Sequence, residues 1–312
     1  MFDLYHKLKS WTFPASPPAL ASMKLGPDGN EDNPSMIQFF TWDSKMDDGT
    51  SWWRHLENEI PELARAGITQ VWIPPPTKAM EQDGRGYDAY DLWDLGEFDQ
   101  KEQIGTRWGT KAELLRTSTV GKKHGVDILI DAVLNHKMGG DRKEAFTAVP
   151  VNPNNRLKAI GKPREIEVFT VISCANSHVC ISSRQGWTAF DFPGRGDEQT
   201  ALEPGTFLWC VGRRLHALGS QNAVGEGHNG WSKNVDQELG NYDYLLGIDI
   251  NHQNPEVRED LLRWGHWVIE TTGATGFRLD AIKHIDWVFL LDFLRSTKKA
   301  TDPRLFVVCE FG

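Results

Sequence analysis

The chain has 312 residues, of which 39% are apolar and thirteen are Trp, so it can bury a large core and does not read as disordered. Its formal net charge of −9 offers no basic stripe to neutralise phosphates, which excludes nucleic acid as a partner. No run of 18 apolar residues occurs, which argues against a membrane span.

In chain order, residues up to about Pro34 are turn-rich and loop-like, with PASPPAL and GPDGNEDNPS. They lack the apolar run of a secretory leader, so a cytoplasmic protein is expected, and a monomer is the favoured state though nothing in the sequence sets it. MIQFFTW (Met36 to Trp42) predicts a strand, and SWWRHLENEIPELARAGI an amphipathic helix ending at Gly67. TQVWIPPP predicts a second strand, stopped by three prolines. KAELLRTSTVGKKHG predicts a second helix and VDILIDAVLNH a third strand. From Lys137 to about Pro255 the rhythm breaks in a Gly- and Pro-rich, polar stretch too long for a βα loop. The alternation resumes with the helix PEVREDLLRWGHWVIETTG, the strand ATGFRLDAI, the helix WVFLLDFLRSTKKA and the strand LFVVCEF. Near-continuous apolar strands alternating with helices imply a parallel sheet covered by helices. The expected organisation is a loop-like segment 1–35, a first strand–helix part 36–136, an insertion 137–255 and a continuation 256–312.

Acids recur at the strand ends: Asp131 after VDILI, Asp280 after GFRL and Glu310 after LFVVC. Functional groups gather at such ends in parallel barrels. Several like charges are costly to bury unless they are paired or used. Alternation along GFRLD puts Arg278 and Asp280 on one side, with Phe277 and Leu279 on the other. An adjacent guanidinium is expected to keep Asp280 ionised, as a nucleophile requires. A plain salt bridge remains open on spacing alone.

DAVLNH (Asp131 to His136), GFRLDAIKH (Gly276 to His284) and FVVCEF (Phe306 to Phe311) resemble three signature regions of the α-amylase family, glycoside hydrolase family thirteen. GYDAYDLWDLGEFDQK (Gly86 to Lys101), ELGNYDYLLGIDI (Glu238 to Ile250) and IQFFTWD add to the resemblance, especially to bacterial liquefying and fungal intracellular members. It implies a (β/α)8 TIM barrel, with about five of eight strands present here and the inserted stretch as domain B after the third strand. It implies a retaining hydrolase of α-1,4-glucans, with Asp280 as nucleophile and Glu310 as general acid/base. Glu310 would need a raised pKa, for which apolar neighbours and an ionised Asp280 are the expected cause. Tyr87, His136, Arg278, Lys283 and His284 match sugar-contacting positions, Tyr87 as the stacking platform. Ca²⁺ is implied between domain B and the barrel, with Asn135, Asp243 and Asp249 as side-chain ligands and His284 through its carbonyl. Ser232, Asn251 and Gln253 stand where the carboxylates of a further metal cluster would be expected.

Two stretches, Val171 to Gln185 and Thr200 to Ala223, depart from that resemblance and hold Cys174, Cys180 and Cys210; a gene-model error is the favoured explanation. Cys309 replaces a usual glycine and is assigned no role. The RGD triplet, Arg195 to Asp197, reads only weakly as an adhesion motif. The family's third carboxylate, within an N-H-D motif, does not follow Glu310. A truncated chain with little turnover is therefore the expectation. A transglycosidase and an inactive glucan-binding remnant are the alternatives.

Overall fold

The computed structural model describes residues 34–142, 145–148, 151–152, 155–162, 164–167, 170–171, 185–186, 190–195, 231–238, 240–302 and 304–311. The strands are β1 (Met36–Gln38), β2 (Gln70–Trp72), β3 (Lys78–Ala79), β4 (Ala89–Asp91), β5 (Asp127–Ala132) and β6 (His136–Lys137). Six short strands follow within the long stretch: β7 (Ala145–Ala148), β8 (Val151–Asn152), β9 (Asn155–Ala159), β10 (Arg164–Glu167), β11 (Thr170–Val171) and β12 (Gln185–Gly186). They pair as β7–β10, β8–β9 and β11–β12, all antiparallel. After them come β13 (Ile248–Asp249), β14 (Gly276–Leu279) and β15 (Phe306–Cys309). The helices are α1 (Trp52–Arg65), α2 (Lys111–His124), α3 (Pro255–Thr272) and α4 (Trp287–Ala300).

The main sheet has the order β1-β2-β5-β14-β15, parallel throughout. Strand neighbours in space are neighbours in sequence once the insertions are set aside, which is the winding of a (β/α)8 barrel, five strands of it here. The predicted strands exist but are shorter than the apolar runs. MIQFFTW pairs only over Met36–Gln38, and the prolines after Ile73 end β2 at Trp72. Gly276 is required where β14 meets β15, because a Cβ there would lie 2.3 Å from the Phe306 carbonyl oxygen.

Each helix begins where local chemistry starts it. Ser51 caps α1, and Thr110 and Glu113 form a reciprocal capping box on α2. Asn254 caps α3, with Pro255 at its first position, and Asp286 accepts from the amides of Val288 and Phe289 on α4. α2 and α3 stop at Gly125 and Gly273, both left-handed. The apolar faces bury Trp53, Leu56 and Ile60 from α1 and Trp264, Val268 and Ile269 from α3 against Val71, Ile130 and Phe277 of the sheet. Phe277 thus faces the helix layer, while Arg278 faces away from it toward Trp72 and Tyr87. Among the described residues no helix is long and apolar enough to cross a membrane.

Candidate active site

The register of β5, β14 and β15 sets the geometry. Arg278 is the partner of Asp131 on one side and of Val308 on the other, and Asp280 and Glu310 follow just past the strand ends. Backbone bonds continue the ladder there: Asp280 N–H donates to Ala132 O at 3.1 Å and Glu310 N–H to Leu279 O at 3.0 Å. The three strand-end acids and Arg278 therefore converge. Arg278 Nη1 donates to Asp131 Oδ1 at 2.8 Å and to Asp280 Oδ1 at 2.6 Å, and Nη2 donates to Glu310 Oε2 at 2.5 Å. Beyond Asp280 the chain turns through Ala281, a non-glycine residue at φ 49°, into the short 3-10 turn Ile282–His284.

The second oxygen of Asp131 is occupied as well. Tyr87 Oη donates to Asp131 Oδ2 at 2.7 Å and Trp72 Nε1 at 2.8 Å. The Arg278 guanidinium lies 4.7 Å from the Trp72 ring centre, a cation–π contact. Trp72 is a residue of this cluster that sequence reasoning missed, and Asp131 was given no role of its own. Asp131 stood out only as one acid among three, and its register partnership with Arg278 was the signal that would have assigned it.

The electrostatics correct one expectation. Burial, then the charge of Asp131, pushes Asp280 up to about 7 and outweighs the opposing pull of Arg278. The same Arg278 guanidinium serves three carboxylates. Burial pushes Asp131 up to about 6 against the stabilising bonds from Arg278, Tyr87 and Trp72. Burial and Asp131 raise the Tyr87 phenol, which stays a neutral donor. The Glu310 side chain is 49% exposed, at the end of strand β15.

Tyr87 also stacks on Trp42, with planes 14° apart and centres 5.9 Å apart, and Trp42 is 54% exposed. His136 is buried, and burial lowers its pKa to about 4, so it is neutral near neutrality. Its Nε2 meets Tyr87 O at 2.8 Å and its Nδ1 meets Asn135 Nδ2 at 3.3 Å, so both ring nitrogens are engaged within the protein. Lys283 Nζ donates to Glu238 at 2.9 Å and lies 4.3 Å from the Tyr242 ring centre. His284 is buried, its Nδ1 bonded to Tyr242 O.

The residues named for a cation fall into two pairs. Asn135 precedes His136, whose antiparallel partner is Asp249, and Ile250 N–H donates to Asn135 O at 3.0 Å. Asp243 follows Tyr242, the residue that His284 contacts, and takes Ser232 N–H at 2.6 Å. All four are buried. Asn135 Oδ1 is a buried acceptor without a hydrogen-bond partner, as an oxygen ligand of a hard cation would be. Among the described residues no group of three His, Cys, Asp or Glu side chains is arranged to hold a metal.

Most of the two atypical stretches, with Cys174, Cys180 and Cys210, lies outside the described residues. Cys309 is a free, exposed thiol. The arginine of the RGD triplet is buried and forks onto Asp91, so it is not displayed for recognition.

No family model matches the chain. It is 39% identical over 288 residues to the Glucan 1,4-alpha-maltohexaosidase of Bacillus sp. (strain 707), covering 90% of this chain and 51% of that protein. It is 37% identical over 284 residues to an Alpha-amylase of Geobacillus stearothermophilus (89% and 48% covered). With the Cytoplasmic alpha-amylase of Escherichia coli (strain K12) it shares 35% over 292 residues (89% and 53% covered). A solved Anoxybacillus α-amylase superimposes with a TM-score of 0.49 at 16% identity, over 88% of this chain and 46% of that one; the fold assignment rests on the sheet itself. The chain spans about half the length of the curated relatives it matches. By these sequence similarities the chain resembles α-amylases over about half of their length.

Proposed function

We propose that this chain carries the nucleophile and proton-donor part of a retaining endohydrolase acting on α-1,4-linked glucans. The observation that carries the reading is the single guanidinium of Arg278 holding Asp280 and Glu310 at the ends of adjacent parallel strands. Paired carboxylates of this kind do double-displacement chemistry when one attacks the anomeric carbon and the other serves the leaving oxygen. Asp280 is assigned the attack and Glu310 the proton transfer, first to the departing sugar oxygen and then from the incoming water. Arg278 positions both and Asp131 fixes Arg278. Tyr87, backed by Trp42, offers an aromatic face on which a glucose ring can lie. Lys283 and His284 lie just past Asp280 in the short 3-10 turn, and both are proposed to contact the glucan.

Calcium is proposed for Asn135, Asp243, Asp249 and the carbonyl of His284; its chemistry there is structural, tying loops together by charge. Relatives named α-amylase at 35–39% identity support the substrate class. The cytoplasm is proposed as the compartment, by analogy with the Escherichia coli relative's name.

The test is hydrolysis of maltoheptaose by the chain, with Asp280→Asn and Glu310→Gln as controls. Shorter products that both substitutions abolish support the hydrolase. Products longer than the substrate would replace it with a transglycosidase. Binding without any turnover would leave a glucan-binding module.

A further inference from the structure

We propose that Arg195, contributed by the long excursion, is a positioning residue for Tyr87; this rests on the reading that Tyr87 faces the glucan. Tyr87 is carried on the loop between β3 and β4, a hairpin of two and three residues. A hairpin that short does not hold its own shape in water and takes its position from what grips it. Its base is gripped through charge. Asp91 and Lys78 are cross-strand partners there, and both are fully buried.

Arg195 forks onto Asp91, with Nε donating to Oδ2 at 2.5 Å and Nη2 to Oδ1. Gln100 Nε2 donates at 2.8 Å to both Asp91 Oδ2 and Asp94 Oδ2. Asp94 in turn pairs with Lys78 at 3.4 Å. One buried chain of charge thus runs from the excursion to both strands of the hairpin. The approach of the excursion is close as well: a Cβ on Gly194 would lie 1.8 Å from Asp99 O, so only glycine fits beside Arg195. At its upper end the hairpin is held by the bond from Tyr87 to Asp131, by that between His136 Nε2 and Tyr87 O, and by that from Met138 N–H to Ala89 O. Arg195 holds the foot of the lever whose head is Tyr87.

The test compares Arg195→Met, Arg195→Lys, Asp91→Asn and the double variant Arg195→Met/Asp91→Asn. Amide exchange and maltoheptaose affinity are measured for each. Arg195→Met is expected to speed exchange across residues 79–91 by about tenfold and to leave α1 and α3 unchanged. It is expected to weaken maltoheptaose binding by about tenfold. Arg195→Lys should recover part of both losses, and the double variant should be no worse than Arg195→Met, since both remove one pair. Unchanged exchange in the hairpin, equal acceleration in α1 and α3, or additive losses in the double variant would overturn the proposal. If Arg195→Met does not fold, Arg195→Lys and Asp91→Asn decide it by the same readouts. Hairpin exchange that rises in a chain whose parent does not bind maltoheptaose would support the anchoring and sink the glucan reading instead.

Discussion

The phenol of Tyr87 donates to Asp131 at 2.7 Å, and Asp131 in turn holds Arg278 at 2.8 Å. The aromatic platform and the arginine that orders the two proposed catalytic carboxylates are therefore joined through one buried acid. Truncating Asp131 to Ala should move both at once, and removing one partner of a buried pair costs about 3–5 kcal/mol. Urea denaturation would show the loss as a lower midpoint with an unchanged slope.

Asp280 and Asp131 make the protein less stable as the solution becomes more alkaline. Their folded values, about 7 and about 6, lie above the ordinary 3.8, so the folded state binds more protons than the unfolded one in between. That stabilisation is complete below the unfolded value and is lost as pH rises through the folded ones. Asp280→Asn should flatten the decline in urea midpoint between about pH 4 and pH 7. A decline as steep as the parent's would refute the assignment.

His252 has the opposite sign. It is buried, bonds through Nε2 to Leu134 O at 2.9 Å and stacks on Phe289 at 4.6 Å, and burial lowers it to about 4. The folded state resists protonation that the unfolded chain accepts below 6.5, so this stability is present above 6.5 and is lost as pH falls toward 4. His252→Gln, which can still donate to Leu134 O, should be less acid-sensitive in thermal melts across that window.

Lys78 is buried among oxygens. Its Nζ donates to the carbonyls of Phe98, Gln103, Ile104 and Gly105 at 2.6–3.2 Å and pairs with Asp94. Lys78→Met keeps the volume and strands those acceptors, at a cost of about 3–5 kcal/mol. Chemical denaturation measures it, and a cost below about 1 kcal/mol would show that the loop finds other partners.

The calcium proposal is testable without an assay of turnover. Chelation should lower the melting temperature and added Ca²⁺ should restore it, by the mass action of a ligand bound to the folded state alone. Asn135→Ala should remove the response, since its Oδ1 is the buried acceptor left without a partner. A melting temperature indifferent to chelator in the parent would end the proposal.

The alternation of strand and helix was legible in the sequence because the main-sheet strands are apolar and the helices carry their own caps. Phe277 and Arg278 were assigned opposite faces from alternation alone, and the structure places them so. The state of Asp280 was not legible in that way. Two residues of spacing reveal an arginine neighbour but not that Asp131 and Glu310 share the same guanidinium. Trp72 was hidden for the same reason: its bond to Asp131 spans 59 positions, and only the pairing of β2 with β5 brings the two together. Arg195 was legible only as part of a tripeptide, because its partner lies 104 residues away.

Arg278 stands against Asp131, Asp280 and Glu310, so acids outnumber the cation at this strand mouth. Such a mouth discriminates by charge before any shape is compared. It repels phosphate esters and other anionic sugars, and it favours whatever becomes more positive as it reacts. A sugar ring whose anomeric carbon gains cationic character on the way to bond cleavage suits that field. On the function proposed above, an uncharged polysaccharide is the kind of molecule whose approach this excess of acid does not oppose.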